Sequence, residues 1–384
     1  MTPPTRFRRH VFFLSGFDPK GASYYHALYQ AEAAKQVPVS GHTLRVGPRH
    51  KGPGGQHQWL VSEDGRCDTV YQYSQWDDIV RQFWPRTIWR LLADVLPAYP
   101  LYFRHVGVAK VWPMVPKTLV SFFYPLAFLL AGLLISSVLG AGAAWAVAGP
   151  MGWLAGALVG ALVGGLGLWG MRKLEARLNT TWLARIFGFV GKLGVGRLPT
   201  LELRLDRMAQ DIARKLLAND VDEVLVVGFS VGSILSVSAV ARALAQVPPD
   251  RPTPTVSLLT LGHCIPLLGL LPQAQRYHAE LGQLATDPRL HWRDFSAPSD
   301  WGSFALVNPI TACDVVLPAP ANGQPVMRSP RFHTQFAPEV YAELRQNKRR
   351  MHMQYLMAGE RPAEYDFFAI TAGPQSLPAR YPTP

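Results

Sequence analysis

Between Lys117 and Arg172 the chain carries no charged side chain. That run, about 54 residues at 1.5 Å each, amounts to ~80 Å of helix, whereas one passage through a bilayer core takes ~30 Å. Two apolar helices and a short turn fit this length, and a single crossing leaves too much over. The pattern predicts spans at about Leu119–Leu139 and Met151–Gly170, with Gly140, Gly142, Gly149 and Pro150 supplying the turn. Gly152, Gly156, Gly160 and Gly164 recur every four residues and so line one face of the second helix. In lipid such a stripe lets two backbones approach closely. Helices buried in a soluble domain are the alternative, but these rarely run ~20 residues without a polar face.

The flanking charges suggest an orientation. Lys110 and Lys117 precede the hairpin, Arg172, Lys173 and Arg177 follow it, and the turn has none. Positive residues stay on the cytoplasmic side, so an inner-membrane protein with two helices and its soluble parts in the cytoplasm is expected. Trp112 and Trp182 are placed for the membrane interface. Lys173–Gly194 mixes basic residues with Leu, Ile, Phe and Trp, which predicts an amphipathic helix on the anionic leaflet. Residues 1–117 and 199–384 then form two parts of one soluble domain, around a hairpin (118–171) and an interfacial segment (172–198). The 38 Lys and Arg residues against 26 Asp and Glu give a net charge of +12. With no nucleic-acid motif present, this charge reads as attraction to anionic lipid, and no nucleic-acid partner is expected. A hydrophobic content of 48 % excludes a disordered chain. The apolar run Val11–Leu14 is too short for a secretory signal. Three cysteines (Cys67, Cys264, Cys313) cannot all pair and lack metal spacing, in keeping with a reducing compartment.

Outside the hairpin, strand and helix patterns alternate. Val11–Leu14, Thr69–Ser74, Val224–Val227, Thr255–Leu261, Leu290–Phe295 and Asp314–Leu317 read as strands. Ser23–Gln36, Ile79–Leu96, Thr200–Ala218, Val231–Ala245 and Pro338–Arg349 read as helices. Continuous apolar strands between helices predict an α/β fold, its mostly parallel sheet covered by helices on both faces. The loop Gly47–Gln58 superficially resembles a phosphate cradle but lacks the Gly-Lys-Ser/Thr ending of a P-loop, and it reads as a mobile basic loop. The histidines before residue 60 are too scattered for a metal site. Asp77 and Asp78 read as an acidic pair at a helix N-terminus, and His263 as a satisfied buried or rim histidine. The aromatic stretch Phe83–Trp112 suits an apolar wall for a lipid tail or interfacial packing.

The sharpest local feature is Gly228-Phe229-Ser230-Val231-Gly232, set where an apolar strand meets a helical run. A sharp strand-to-helix turn forces its central residue into strained backbone angles, so the positions two residues either side must be small. Gly228 and Gly232 meet that demand. The turn lifts the Ser230 hydroxyl above the sheet edge and puts the Val231 N–H at a helix N-terminus, where it can donate to an oxyanion.

This turn resembles the nucleophile elbow of the α/β-hydrolase superfamily, and the layout of the soluble chain is similar to that of its lipase- and esterase-like members. The resemblance implies a catalytic order of Ser, acid, His, each on a loop after a later strand. Asp300, after Leu290–Phe295, is the acid it favours; Asp294 lies within the strand and is the alternative, with Asp314 third. For the base, His352-x-x-Tyr355-Leu356 is similar to the His loop of lipase-like members, and His333 is the competitor. The second oxyanion donor falls on Ser15-Gly16-Phe17, with the Phe17 N–H as candidate, although members often carry His-Gly there. The implied activity is ester hydrolysis through an acyl-enzyme, with an acyl ester or lipid as substrate, the bilayer as partner, and neither metal nor organic cofactor. A non-catalytic membrane-anchored scaffold and an acyltransferase with the same triad are the other readings. The sequence carries no signal for oligomeric state.

Overall fold

The computed structural model describes residues 6–52, 54–106, 111–112, 114, 116–178 and 180–382. It forms two compact units, Met1–Trp84 with Pro100–Val115 and Val190–Pro384, and Pro85–Tyr99 with Pro116–Phe189.

The first unit is built on a nine-stranded mixed sheet. Its strands are β1 (Phe7–Leu14), β2 (Leu44–Val46), β3 (His50–Lys51), β4 (His57–Glu63), β5 (Cys67–Tyr73), β6 (Glu223–Phe229), β7 (Thr255–Leu261), β8 (Leu290–Phe295) and β9 (Val326–Arg328). The order is β2-β4-β5-β1-β6-β7-β8-β9, with β3 beside β4. From β5 to β9 every pairing is parallel, and β2, β3 and β4 add an antiparallel edge. Helices cover the sheet, among them α1 (Ala22–Ser40), α8 (Pro199–Ala218) and α9 (Val231–Leu244). The expected α/β class with a mostly parallel sheet is what forms. Strand β6 is buried along its whole length, as continuous apolar strands in a two-faced sheet require.

Beneath this sheet the Arg9 guanidinium donates to Glu223 at 2.6 Å, with both side chains fully buried. Arg9 also donates to the Gly373 and Gln375 carbonyls, while Glu223 accepts from Ser257 Oγ and the Leu377 N–H. Removing one partner would strand a buried charge, which costs far more than the net worth of the pair. The contact therefore ties β1, β6, β7 and the C-terminal segment together.

Several expectations need correction. Ile79–Leu96 is not one helix: α2 (Asp77–Phe83) stops before Pro85 and α3 (Ile88–Val95) begins beyond it, followed by α4 (Ala98–His105). Asp314–Leu317 is a turn region with Asp314 at φ +50°, and the outer strand is β9 instead. The loop Gly47–Gln58 is partly ordered into β3 and the start of β4. Lys110 lies outside the described residues.

The second unit contains two long apolar helices, α5 (Pro116–Met151) and α6 (Trp153–Leu178). Within them Phe122–Met151 (30 residues, mean hydropathy 2.1) and Trp153–Glu175 (23 residues, mean hydropathy 1.7) are long and apolar enough to cross a membrane. The predicted turn is displaced: α5 runs straight through Gly140 and Gly142, and the reversal falls at Gly152, whose φ of +86° suits glycine. Gly140 instead packs against Gly160 and Gly164, and Gly156 against Ala144 and Ala148, so the small-residue face brings the two backbones together. The segment expected to lie on the leaflet forms α7 (Thr181–Gly194). Ala184, Phe187, Phe189 and Val190 on it are at most 3 % exposed.

Two predictions follow from these contacts. A Cβ on Gly160 would lie 2.7 Å from both the Gly140 carbonyl oxygen and Ala144 Cβ, whereas one on Gly165 meets nothing within 4 Å. Gly160→Leu should therefore lower the thermal unfolding temperature in detergent, with Gly165→Leu near wild type. His10 on β1 is buried, and burial, helped by nearby Lys215, pushes its imidazole down to about 4 from the ordinary 6.5. Unfolding exposes a group that binds a proton more readily, so stability is full above pH 6.5 and is lost as the pH falls towards 4. The loss approaches about 3 kcal/mol. In a pH series of thermal unfolding, His10→Gln should flatten that slope.

Candidate active site

The register of the central strands builds the site. Leu14 on β1 pairs with Gly228 on β6, so the chain leaving β1 as Ser15-Gly16-Phe17 runs level with Phe229 and Ser230. Ser230 joins β6 to α9 with φ +56° and ψ −123°, a conformation that costs a residue with a side chain of order 1–3 kcal/mol. Its backbone is held on both sides. The Ser230 N–H donates to the Leu261 carbonyl at 2.9 Å, and its own carbonyl accepts from Ser233 N–H at 2.9 Å and Ser233 Oγ at 2.5 Å. A methyl on Gly232 would run into the Leu14 carbonyl oxygen and lie 2.7 Å from that of Ser15; one on Gly228 would lie 2.7 Å from the Gly232 carbonyl oxygen. Both glycines are thus required by close backbone approach.

The same packing sets the β1 loop against the serine. A methyl on Gly16 would sit 3.0 Å from Ser230 Cβ and 3.5 Å from its Oγ. Asp18 N–H donates to the Gly16 carbonyl at 2.8 Å, making the loop a tight turn. Phe17 is 2 % exposed and stacks on Trp84 at 5.5 Å. Trp76 Nε1 donates to the Ser15 carbonyl at 3.1 Å, and Ser15 Oγ meets the Tyr73 hydroxyl at 3.1 Å. Gly16 and Phe17 therefore border the serine on one side and Val231 on the other.

Asp300, on the loop after β8, and His352, on α12 (Lys348–Met353, with α10 at Gln275–Thr286 and α11 at Pro338–Gln346), come together at 2.8 Å between Oδ2 and Nδ1. Both are buried. The other donors to this carboxylate are the Tyr355 hydroxyl at 3.1 Å and the Gly302 N–H at 2.9 Å. Tyr355 OH in turn accepts from Ala297 N–H at 2.8 Å, and burial pushes its phenol well up, which keeps the proton it donates. With Nδ1–H given to Asp300, a neutral imidazole carries its lone pair on Nε2. The ring of Phe229, the residue before Ser230, lies 5.0 Å from that of His352. Ser230 is 4 % exposed, and its Oγ makes no hydrogen bond within the described residues. The serine–imidazole link is therefore not made in this conformation; such links commonly tighten only when substrate binds.

The alternative residues are placed elsewhere. Asp294 is buried in β8 and accepts from Thr260 Oγ1 and Ser296 Oγ, each at 2.7 Å, and burial pushes its carboxyl up. The imidazole beside it is that of His263, 4.0 Å away. His263 is fully buried, yet neither ring nitrogen has a hydrogen-bond partner among the described residues, which corrects its reading as satisfied. His333 is exposed and packs on Tyr341, and the structure does not bring it to the Asp300–His352 pair. Asp77 and Asp78 begin α2 and pair with Arg81 and Arg204. Among the described residues no group of three or more His, Cys, Asp or Glu is arranged to hold a metal ion, and the three cysteines are buried and not joined in disulfides.

Sequence reasoning noted Tyr355 only as the aromatic residue after the histidine and missed its hydroxyl as a carboxylate donor. The signal was the spacing: three residues after His352, it shares a helical face with it. No family model, curated protein or solved structure matches this chain.

The glycine contacts predict that Gly232→Ala destabilises the soluble unit by at least about 1–3 kcal/mol, because the obstacle is backbone and cannot move aside. Thermal unfolding against wild type reads this directly.

Proposed function

We propose that the protein is a membrane-anchored serine hydrolase of the α/β-hydrolase type, cleaving carboxylic esters, lipid esters among them, through an acyl-enzyme. The observation that carries the reading is the buried Asp300–His352 hydrogen bond, formed at the sheet edge where the strained turn carries Ser230. The order Ser230, Asp300, His352 along the chain, each beyond a later strand of the parallel sheet (β6, β8 and β9), supports it further.

In this mechanism His352 Nε2 takes the proton of Ser230 Oγ as that oxygen attacks the ester carbonyl. Asp300 holds the ring in the tautomer that leaves Nε2 basic, and it stabilises the imidazolium that forms. Tyr355 and the Gly302 N–H orient the carboxylate. The oxyanion is taken by the Val231 N–H, at the start of α9, with the Phe17 N–H as second donor. The imidazolium returns its proton to the leaving alcohol, and water then attacks the acyl-enzyme with His352 again as base. The two apolar helices, with basic residues at the ends of the hairpin, support an inner-membrane location with the soluble domain in the cytoplasm. The substrate class follows from that location.

Protein in detergent should be labelled by a fluorophosphonate probe, and Ser230→Ala should not be. Across a series of esters of graded acyl length, Asp300→Asn should lower kcat by a factor on the order of 10⁴ while KM changes little. Labelling of Ser230→Ala equal to wild type would overturn the assignment.

A further inference from the structure

A second cavity, of about 260 Å³, opens on the first unit away from the Asp300–His352 pair. Gln72, Ser74, Arg204, Arg207 and Asp211 line it, together with the Gly54–Gly55 backbone. The lining is rich in donors. Arg207 is exposed and makes no ion pair or hydrogen bond with another described residue. Arg204 is held in place by Asp78, at 3.0 and 2.7 Å, and by the Gln75 carbonyl at 2.5 Å.

The charges around it do not cancel. Asp78 is taken by Arg204, and Asp211 by Arg214 with a long hydrogen bond from Gln56. Each acidic group thus has its own arginine, and the positive charge of Arg207 is left over. An unpaired guanidinium, a glutamine amide and a serine hydroxyl lining one recess suit an oxyanion, which accepts several donors at once. Sites for drug-sized ligands span roughly 300–1,000 Å³, so this cavity is scaled to a small anion or a single headgroup. The loop that supplies Gly54 and Gly55 is the one whose glycines suggested a phosphate cradle. It lacks a P-loop's Gly-Lys-Ser/Thr ending, and the positive charge lining this cavity comes from arginines on α8.

We infer that this cavity binds the phosphate group of a small phosphorylated ligand, with Arg207 as its principal charged donor beside the Gln72 amide and the Ser74 hydroxyl. The cavity also adjoins the β1 loop through bonded steps. Arg204 donates to the Gln75 carbonyl, and the next residue, Trp76, donates to the Ser15 carbonyl. An occupant would therefore sit beside the support of the loop that carries Phe17. The inference does not depend on the hydrolase reading, because its test is of binding alone.

Full-length protein in detergent is titrated calorimetrically with inorganic phosphate, with dihexanoyl phosphatidic acid, and with dihexanoyl phosphatidylcholine as zwitterionic control. Phosphate and phosphatidic acid should bind in competition, and Arg207→Gln should weaken both by about tenfold or more. Arg251→Gln, an exposed arginine outside the cavity, should bind as wild type. Binding of phosphatidic acid without phosphate supports the site and assigns its source to a lipid headgroup. Binding of neither, or equal binding by Arg207→Gln and wild type, overturns the inference.

Discussion

A backbone conformation that serine does not favour holds this site together. Ser230 sits at positive φ because β6 is fixed between β1 and β7, while α9 must begin immediately beyond it. The ladder and the helix leave one residue in which to turn, and the strain persists only because both neighbours over-determine it. Gly232 admits the Leu14 and Ser15 carbonyls at the end of β1, and Gly228 admits the first turn of α9, where a side chain would collide. The serine turn and the loop after β1 are consequently one piece of construction. A methyl group on Gly232 or on Gly16 would disturb both at once.

The chain between β5 and β6 is where the apolar helices enter, and the sheet explains why that is tolerated. Because β1 pairs with β5 on one side and with β6 on the other, the register of all three is set by β1. The excursion from the end of β5 to the start of β6 has only to leave and return, whatever its length. Within it the two helices follow a different rule. They pack by close backbone approach through Gly140, Gly156, Gly160 and Ala144, the means open to apolar helices that gain nothing hydrophobic from contact in lipid.

How much could be read from the residues alone depended on what each element buries. Strands β7 and β8 were legible to the residue: both are short and bounded by turn formers, β7 mostly apolar and β8 with Leu290, Trp292 and Phe295 among its polar residues. Strand β4 was hidden: His-Gln-Trp-Leu-Val-Ser-Glu reads as polar, yet Trp59, Val61 and Glu63 alternate inward, with Glu63 Oε1 paired to both His42 and Arg66. Strand β9, three residues long, left no periodicity to find, while Asp314–Leu317 imitated a strand whose first residue needs a left-handed turn. The hairpin was legible as two apolar helices but its reversal was not. A glycine looks the same in sequence whether it turns the chain, as Gly152 does, or lets another helix approach, as Gly140 does.

The two carboxylates near the end of β8 show what separates a structural acid from a candidate catalytic one. Both are buried, so burial does not distinguish them. Asp294 lies in register with Thr260 on the neighbouring strand, and its oxygens accept from the Thr260 hydroxyl and from that of Ser296, just past the end of its own strand. Asp300 has left the ladder. Its partners come from its own loop and from a segment 52 residues further on, which only a folded chain can deliver. A strand residue is committed to its neighbours by register, whereas the loop that follows can be bent towards a distant imidazole. The end of β8 at Phe295 is therefore the boundary that matters, and that boundary was legible from the sequence even though the hydrogen bonds beyond it were not.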